Sequence, residues 1–85
     1  MNKKGFKMQS LGDNWFSCAV DNRYFINAKI YEEPSEFGID LGRISKLYIT
    51  HADGYVVCNY DRGWDVKPSK TADLALFHEF LNCFN

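Results

Sequence analysis

An α+β fold is predicted: an antiparallel sheet of about four strands, in two hairpins, covered by one C-terminal helix. Three features of the 85-residue chain lead to it. Two pairs of aromatic and β-branched runs are each joined by a tight-turn signal, Asp21-Asn22 in one and Asp53-Gly54 in the other. Both dipeptides tolerate the positive φ that hairpin turns need. Beyond Pro68 the apolar residues stop alternating and recur at helical spacing. The length suits a single domain, 1–85, because a chain of this size buries only about 60% of its unfolded surface around one core.

Residues 1–13 mix Lys3, Lys4 and Lys7 with Phe6, Met8 and Leu11, and read either as an arm or as a short edge strand. Trp15 to Val20 is a strand, Asp21-Asn22 its turn, and Arg23 to Tyr31 the partner. On that partner Tyr24, Ile26, Ala28 and Ile30 share the face assigned to the core, and Phe25, Asn27, Lys29 and Tyr31 the opposite face. Residues 32–43 hold one proline, two glycines and four acids, the composition of a structured loop. Alternating Phe37, Ile39 and Leu41 suit packing back on the sheet or on a partner. Arg43 to Thr50 and Tyr55 to Tyr60 form the second hairpin around His51-Ala52-Asp53-Gly54. Asp61-Arg62-Gly63 interrupts it, with Gly63 assigned to the bend. Trp64-Asp65-Val66 is a candidate to re-enter extended structure, and Pro68 ends the run.

The helix takes Ser69 or Thr71 as N-cap and has Asp73 in its first turn, where the helix dipole favours an acid. Its apolar face is Leu74, Phe77, Leu81 and Phe84, widened by Leu76 and Phe80. One helix covers one face of a sheet, yet Phe25 and Tyr31 lie opposite the core set, and Ile44, Tyr48 and Tyr55 can join them. A surplus apolar face implies a cover. The N-terminal arm, the 32–43 loop and a second copy are the candidates, and a homodimer is expected.

Composition excludes several function classes. Ten Lys+Arg against eleven Asp+Glu leave a formal charge of −1, which argues against a clamp on duplex nucleic acid. No apolar run approaches the roughly 20 residues that span a bilayer, and the first ten residues lack the apolar centre of a signal peptide. A cytoplasmic protein without membrane contact is expected. Cys18, Cys58 and Cys83 sit among apolar neighbours with no CxxC pair, as buried reduced thiols do. No spacing favours a zinc site from Cys58, Cys83, His51 and His78, so neither metal nor cofactor is expected. His51 falls in a turn as an exposed bystander, and His78 at the edge of the helix stripe. With no nucleophile elbow and no glycine-rich phosphate loop, an enzyme is not expected.

Two segments carry the chemistry that remains. NYDRGWD (59–65) puts an amide, a guanidinium and an indole at a strand end, a set that can hold a planar anion by bidentate bonding and stacking. The competing reading pairs Arg62 with Asp61 or Asp65 and makes Trp64 a plug between sheet and helix. GRISKL (42–47) brings Arg43 and Lys46 to the same sheet end if the second hairpin turns at Asp53-Gly54. In a regular strand Ile44, Lys46 and Tyr48 share one face, and Arg43, Ser45 and Leu47 the other. The candidate ligand-binding residues are therefore Arg43, Lys46, Asn59, Arg62 and Trp64.

With YEEPSEFGI upstream, GRISKL and NYDRGWD in this order resemble a family of short proteins of unknown function from bacteriophages, prophages and Firmicute genomes. The likeness runs over roughly residues 14–84 and ends in the same short helix. It implies a phage or prophage accessory protein acting in the host cytoplasm, and through that setting an anti-defence role. The expected function is a non-catalytic module that captures an anionic, nucleotide-type ligand. The alternative is an inhibitor or accessory protein that binds a host protein.

Overall fold

The computed structural model describes residues 5–85. The first four residues of the 1–13 stretch lie outside the described residues. Six strands form one antiparallel meander in chain order: β1 (Gln9–Gly12), β2 (Trp15–Val20), β3 (Tyr24–Ile30), β4 (Ile44–His51), β5 (Val56–Asp61) and β6 (Trp64–Val66). The helix α1 (Thr71–Phe84) follows. The fold class is as expected, but the sheet has six strands in place of about four.

The additional strands are the two edges. Asp13 and Asn14 sit at φ 53° and 66°, and Asp21 and Asn22 both at 54°, so one Asp-Asn dipeptide makes a primed turn twice. At the second, Arg23 N donates to the Val20 carbonyl over 2.9 Å. The first turn is harder to see because β1 is exposed along its whole length and carries no apolar alternation. At the other edge Arg62, not Gly63, takes the positive φ of 57°. The Asp61 N–H donates to the Gly63 carbonyl there, and the Arg62 N–H donates to the Ser45 carbonyl.

One face of the sheet is closed. Ile26, Ala28, Leu47, Ile49, Cys58 and Tyr60 line it, and Leu76, Phe77 and Phe80 of α1 press on it. The helix stripe is thus centred on Leu76, Phe77 and Phe80, with Leu74 and Leu81 only partly buried. Its N-cap is Lys70 without a side-chain bond, rather than Ser69 or Thr71. Phe6 joins the same side, edge-on to Phe80 and Phe84 at 5.3 and 5.8 Å, so the arm closes the helix side of the core.

The second half of the 32–43 loop also reaches that side through Ile39. Ile39 is buried, in a 3-10 turn over Ile39–Leu41. Asn85 clamps it: Nδ2 donates to the Ile39 carbonyl, and Oδ1 accepts from the Ile44 N–H. Glycine is required at Gly38, where a Cβ would run into the Gly42 backbone carbonyl, and a Cβ at Gly42 would displace the Asn85 amide from its clamp.

A bulge sets the face of Ile44. Lys46 opposes Lys29 and Ile44 opposes Ile30, leaving Ser45 as the extra residue. A bulge resets strand alternation, so Ile44 is fully buried in the core and not on the face with Lys46 and Tyr48, as a regular strand would have it.

Candidate functional site

The bulge also leaves Lys46 on the uncovered face beside Lys29. Register across the sheet arranges that face in rows. One row reads Trp15, Lys29, Lys46, Asp61, and the next reads Gln9, Ser17, Asn27, Tyr48, Asn59, Val66. A third holds Ala19, Phe25, Thr50 and Val56. Phe25, Tyr31 and Tyr48 are 48%, 38% and 41% exposed. Phe6 of the arm and Ile39 of the loop go to the helix side, the loop's Ser35 and Phe37 stand beside Tyr31 at one end of the other side, and Phe25 and Tyr48 stay open.

At the end nearest the loop, the first row opens into a cavity of about 490 Å³ between Lys29, Tyr31, Lys46, Arg62 and the loop residues Ser35 and Phe37. Lys29 and Lys46 face each other directly across the β3–β4 ladder, and their Nζ atoms lie 5.8 and 5.9 Å from the centre of the Trp15 ring. Lys29 is also 5.7 Å from the Tyr31 ring, and the Arg62 guanidinium sits 6.0 Å from that of Phe37. Asp61 Oδ1 lies 3.6 Å from Lys46 Nζ and 3.9 Å from Arg62 Nε. Both pairs are open to water and hold little energy. Three cations therefore line the cavity with one loosely shared carboxylate beside them.

The five residues singled out from sequence do not all meet. Lys46 and Arg62 share the cavity. Asn59 is on the same face, in an adjoining shallow depression with Lys46 and Tyr48. Arg43 is on the helix side, where Nη2 donates to the Phe84 carbonyl at 2.8 Å and serves the exposed end of the helix. Trp64 is also there, half-buried against Tyr60 and Phe77 at 5.0 and 5.5 Å between ring centres. That is the plug between sheet and helix. Lys29, Trp15 and Tyr31 were not singled out. Strand alternation does put Lys29 and Tyr31 on one face, but only the β3–β4 register brings the two lysines opposite each other.

A second polar cluster occupies the opposite end of β4. Asp73, 3% exposed on α1, accepts from Tyr24 Oη at 2.9 Å, and His51 Nε2 lies 2.9 Å from the same oxygen. An ionised carboxylate can only accept, so His51 Nε2 carries the proton. His51 is the last residue of β4 and half-buried, not a bystander in the turn. Burial alone pushes the Asp73 carboxyl up, but the bonds from His51 and Tyr24 and the fields of His51 and Lys70 outweigh it and hold the pKa below the ordinary value. Burial and the bond to Asp73 push the Tyr24 phenol up. The two buried thiols are unreactive for the same reason: burial raises Cys18 and takes Cys58 up to about 12. Among the described residues no group of three or more His, Cys, Asp or Glu is placed to hold a metal ion. No described helix is long and apolar enough to cross a membrane.

Fold and site together define a small α+β protein with a sheet covered on one side and a cation-lined cavity at one end of the other. The chain belongs to the family described as a domain of unknown function, DUF7678, whose model matches residues 14–85. That span takes in β2 to α1 and leaves β1 outside. No curated protein and no solved structure matches the chain.

Proposed function

We propose that this chain is a non-catalytic binding module that captures an anionic, nucleotide-type ligand in the cavity between Lys29, Lys46 and Arg62. The observation that carries this reading is the direct opposition of Lys29 and Lys46 on central strands, around a single indole. Like charges directly opposite each other destabilise a sheet, and Asp61 is too exposed and too distant to offset both. A bound phosphate between the ammonium groups and the Arg62 fork removes the repulsion. Tyr31, Phe37 and Trp15 offer faces on which a base can stack. The resemblance to phage and prophage proteins adds the biological setting, an accessory protein with an anti-defence role.

Calorimetric titration with mono-, cyclic and dinucleotides tests the reading. Lys46→Ala and Arg62→Ala are each expected to weaken binding by about tenfold, the scale of one charge-assisted contact. Absence of binding by every nucleotide, or binding indifferent to both substitutions, counts against it.

The exposed Phe25 and Tyr48 favour one alternative, in which this face meets protein, either a second copy or a host protein. Light scattering tests the second copy: a 9.9 kDa monomer at tens of micromolar removes the homodimer.

A further inference from the structure

We propose that the whole uncovered sheet face is a track for a single-stranded polynucleotide, with the Lys29–Lys46–Arg62 cavity as the anchor for one of its phosphates. This deepens the reading above and rests on that cavity being an anion site. Each of the three rows carries one aromatic ring, and the three rings lie on different strands: Trp15 on β2, Tyr48 on β4 and Phe25 on β3. Successive rows are two residues apart along a strand, roughly 7 Å, about twice the ~3.4 Å rise of stacked bases. The rings therefore suit bases splayed from one another, each on its own platform, and not the edge of an intact duplex.

The chemistry between the rings fits the same occupant. Asn27 and Asn59 flank Tyr48 directly on either side in its row. Their amides each offer donors and an acceptor to the edge of a base stacked on that ring. A depression of about 420 Å³ beyond Phe25 is walled by Ser17, Ala19 and Asn27 of this face and by Lys7, Cys18 and Ile26 at the sheet's margin. Lys29 and Lys46 stand in its rows with Arg62 beside them, and Asp61 is the one carboxylate in those rows. The formal charge of the chain is nevertheless −1, so positive charge is concentrated on the side that has no cover. Homodimer interfaces place apolar residues at their centre and avoid lysine there. Here the middle row is mostly amide and hydroxyl, and two lysines occupy central strands. A polyanion complements this surface better than a second copy does.

Fluorescence anisotropy with labelled oligo(U) and oligo(dT) of about 12 nucleotides, a blunt duplex of the same length, and UMP as competitor tests the proposal. Single strands should bind more tightly as length rises and at least about tenfold more tightly than the duplex, with affinity falling as salt rises. The two homopolymers distinguish RNA from DNA as the source. Phe25→Ala and Tyr48→Ala alter exposed side chains that the fold does not need, and circular dichroism checks that it survives. Each should weaken oligonucleotide binding by at least about fivefold, the lower end of the loss for one stacked base, while UMP binding stays within about twofold. Lys46→Ala should weaken both. In a Trp64→Phe background the remaining indole, Trp15, should be quenched on binding. Oligonucleotides that bind no more tightly than UMP overturn the track and leave the cavity standing. No binding by either overturns both. A dimer in light scattering that Phe25→Ala dissociates overturns the track in favour of a protein interface.

Discussion

The two ends of β4 hold polar clusters of opposite character. At the His51 end a single carboxylate is nearly inaccessible, and a phenol and an imidazole both lie 2.9 Å from one oxygen. At the Lys46 end the Asp61 side chain is 62% exposed and shared at 3.6 and 3.9 Å by two cations, with a third beside them. In the first cluster the carboxylate is sealed under α1 and bonded to both partners, and of the three groups only Tyr24 and His51 reach the cavity beside it, about 260 Å³. The second has an excess of positive charge facing directly into a larger cavity of about 490 Å³. Buried, short, reciprocal bonds mark polar groups that hold a fold together, whereas loosely paired charge of one sign at a cavity is available to something else.

Breaking the closed cluster should give the largest effect. Asp73→Ala leaves the Tyr24 hydroxyl and His51 Nε2 without their acceptor. It should cost about 3 kcal/mol, seen as a melting temperature lower by more than about 10 °C. The pH dependence has a definite sign. Folding depresses the Asp73 pKa, so its stabilisation is complete above the unfolded value of about 3.9 and is lost as pH falls through the lower folded value. The melting temperatures of the native chain and Asp73→Asn should therefore converge in acid and separate toward neutral pH. A gap that stays constant from pH ~2 to ~7 would show that the carboxylate charge contributes nothing.

Trp64→Ala sharpens the comparison from the other side. Removing a half-buried ring between Tyr60 and Phe77 should cost about 2 kcal/mol, below the range for a fully buried aromatic. Nucleotide affinity of the folded variant should stay within about twofold of the native value, because the indole sits on the helix side. Binding lost from a variant whose circular dichroism is native would place the ligand against Trp64 and break the distinction between the two ends.

The smallest effect belongs to Asp61→Ala. Exposed pairs contribute little, so thermal stability should change by less than about 1 kcal/mol. Anion affinity should rise by about two- to fivefold as the competing carboxylate goes. Unchanged or weaker anion binding in a calorimetric titration would mean that Asp61 does not compete for the cavity's cations.

Much of the fold was readable from local chemistry. The runs WFSCAV and RYFINAKIY, the two turn dipeptides and the switch to helical spacing after Pro68 were sufficient for β2 to β5 and for α1. The edge strands were harder because an edge has one neighbour and little to bury. β1 has no apolar alternation, and β6 is three residues long. Site residues were readable less well. Lys46 and Arg62 do meet, because the turn at Asp53-Gly54 sets Lys46 opposite Asp61. Arg43 and Trp64 went to the helix side, where a carbonyl at the helix end and the Phe77 ring receive them. His51 was misplaced because its partner Asp73 lies 22 residues away, and no local pattern records such a pairing.

Residue order alone settles what depends on neighbours along the chain: where φ turns positive, which side chains alternate, and where a helix begins after a proline. Assembly in three dimensions settles what depends on residues distant in sequence. The Ser45 bulge sends Ile44 into the core and keeps Lys46 out of it. Register across β3 and β4 sets two lysines against one indole. The helix, Phe6 of the arm and Ile39 of the loop go to one face, and the other stays open except where Ser35 and Phe37 wall the cavity at its end. The division has a physical cause: turn and strand preferences are short-range steric properties, while a binding surface is made where strands meet and where packing stops.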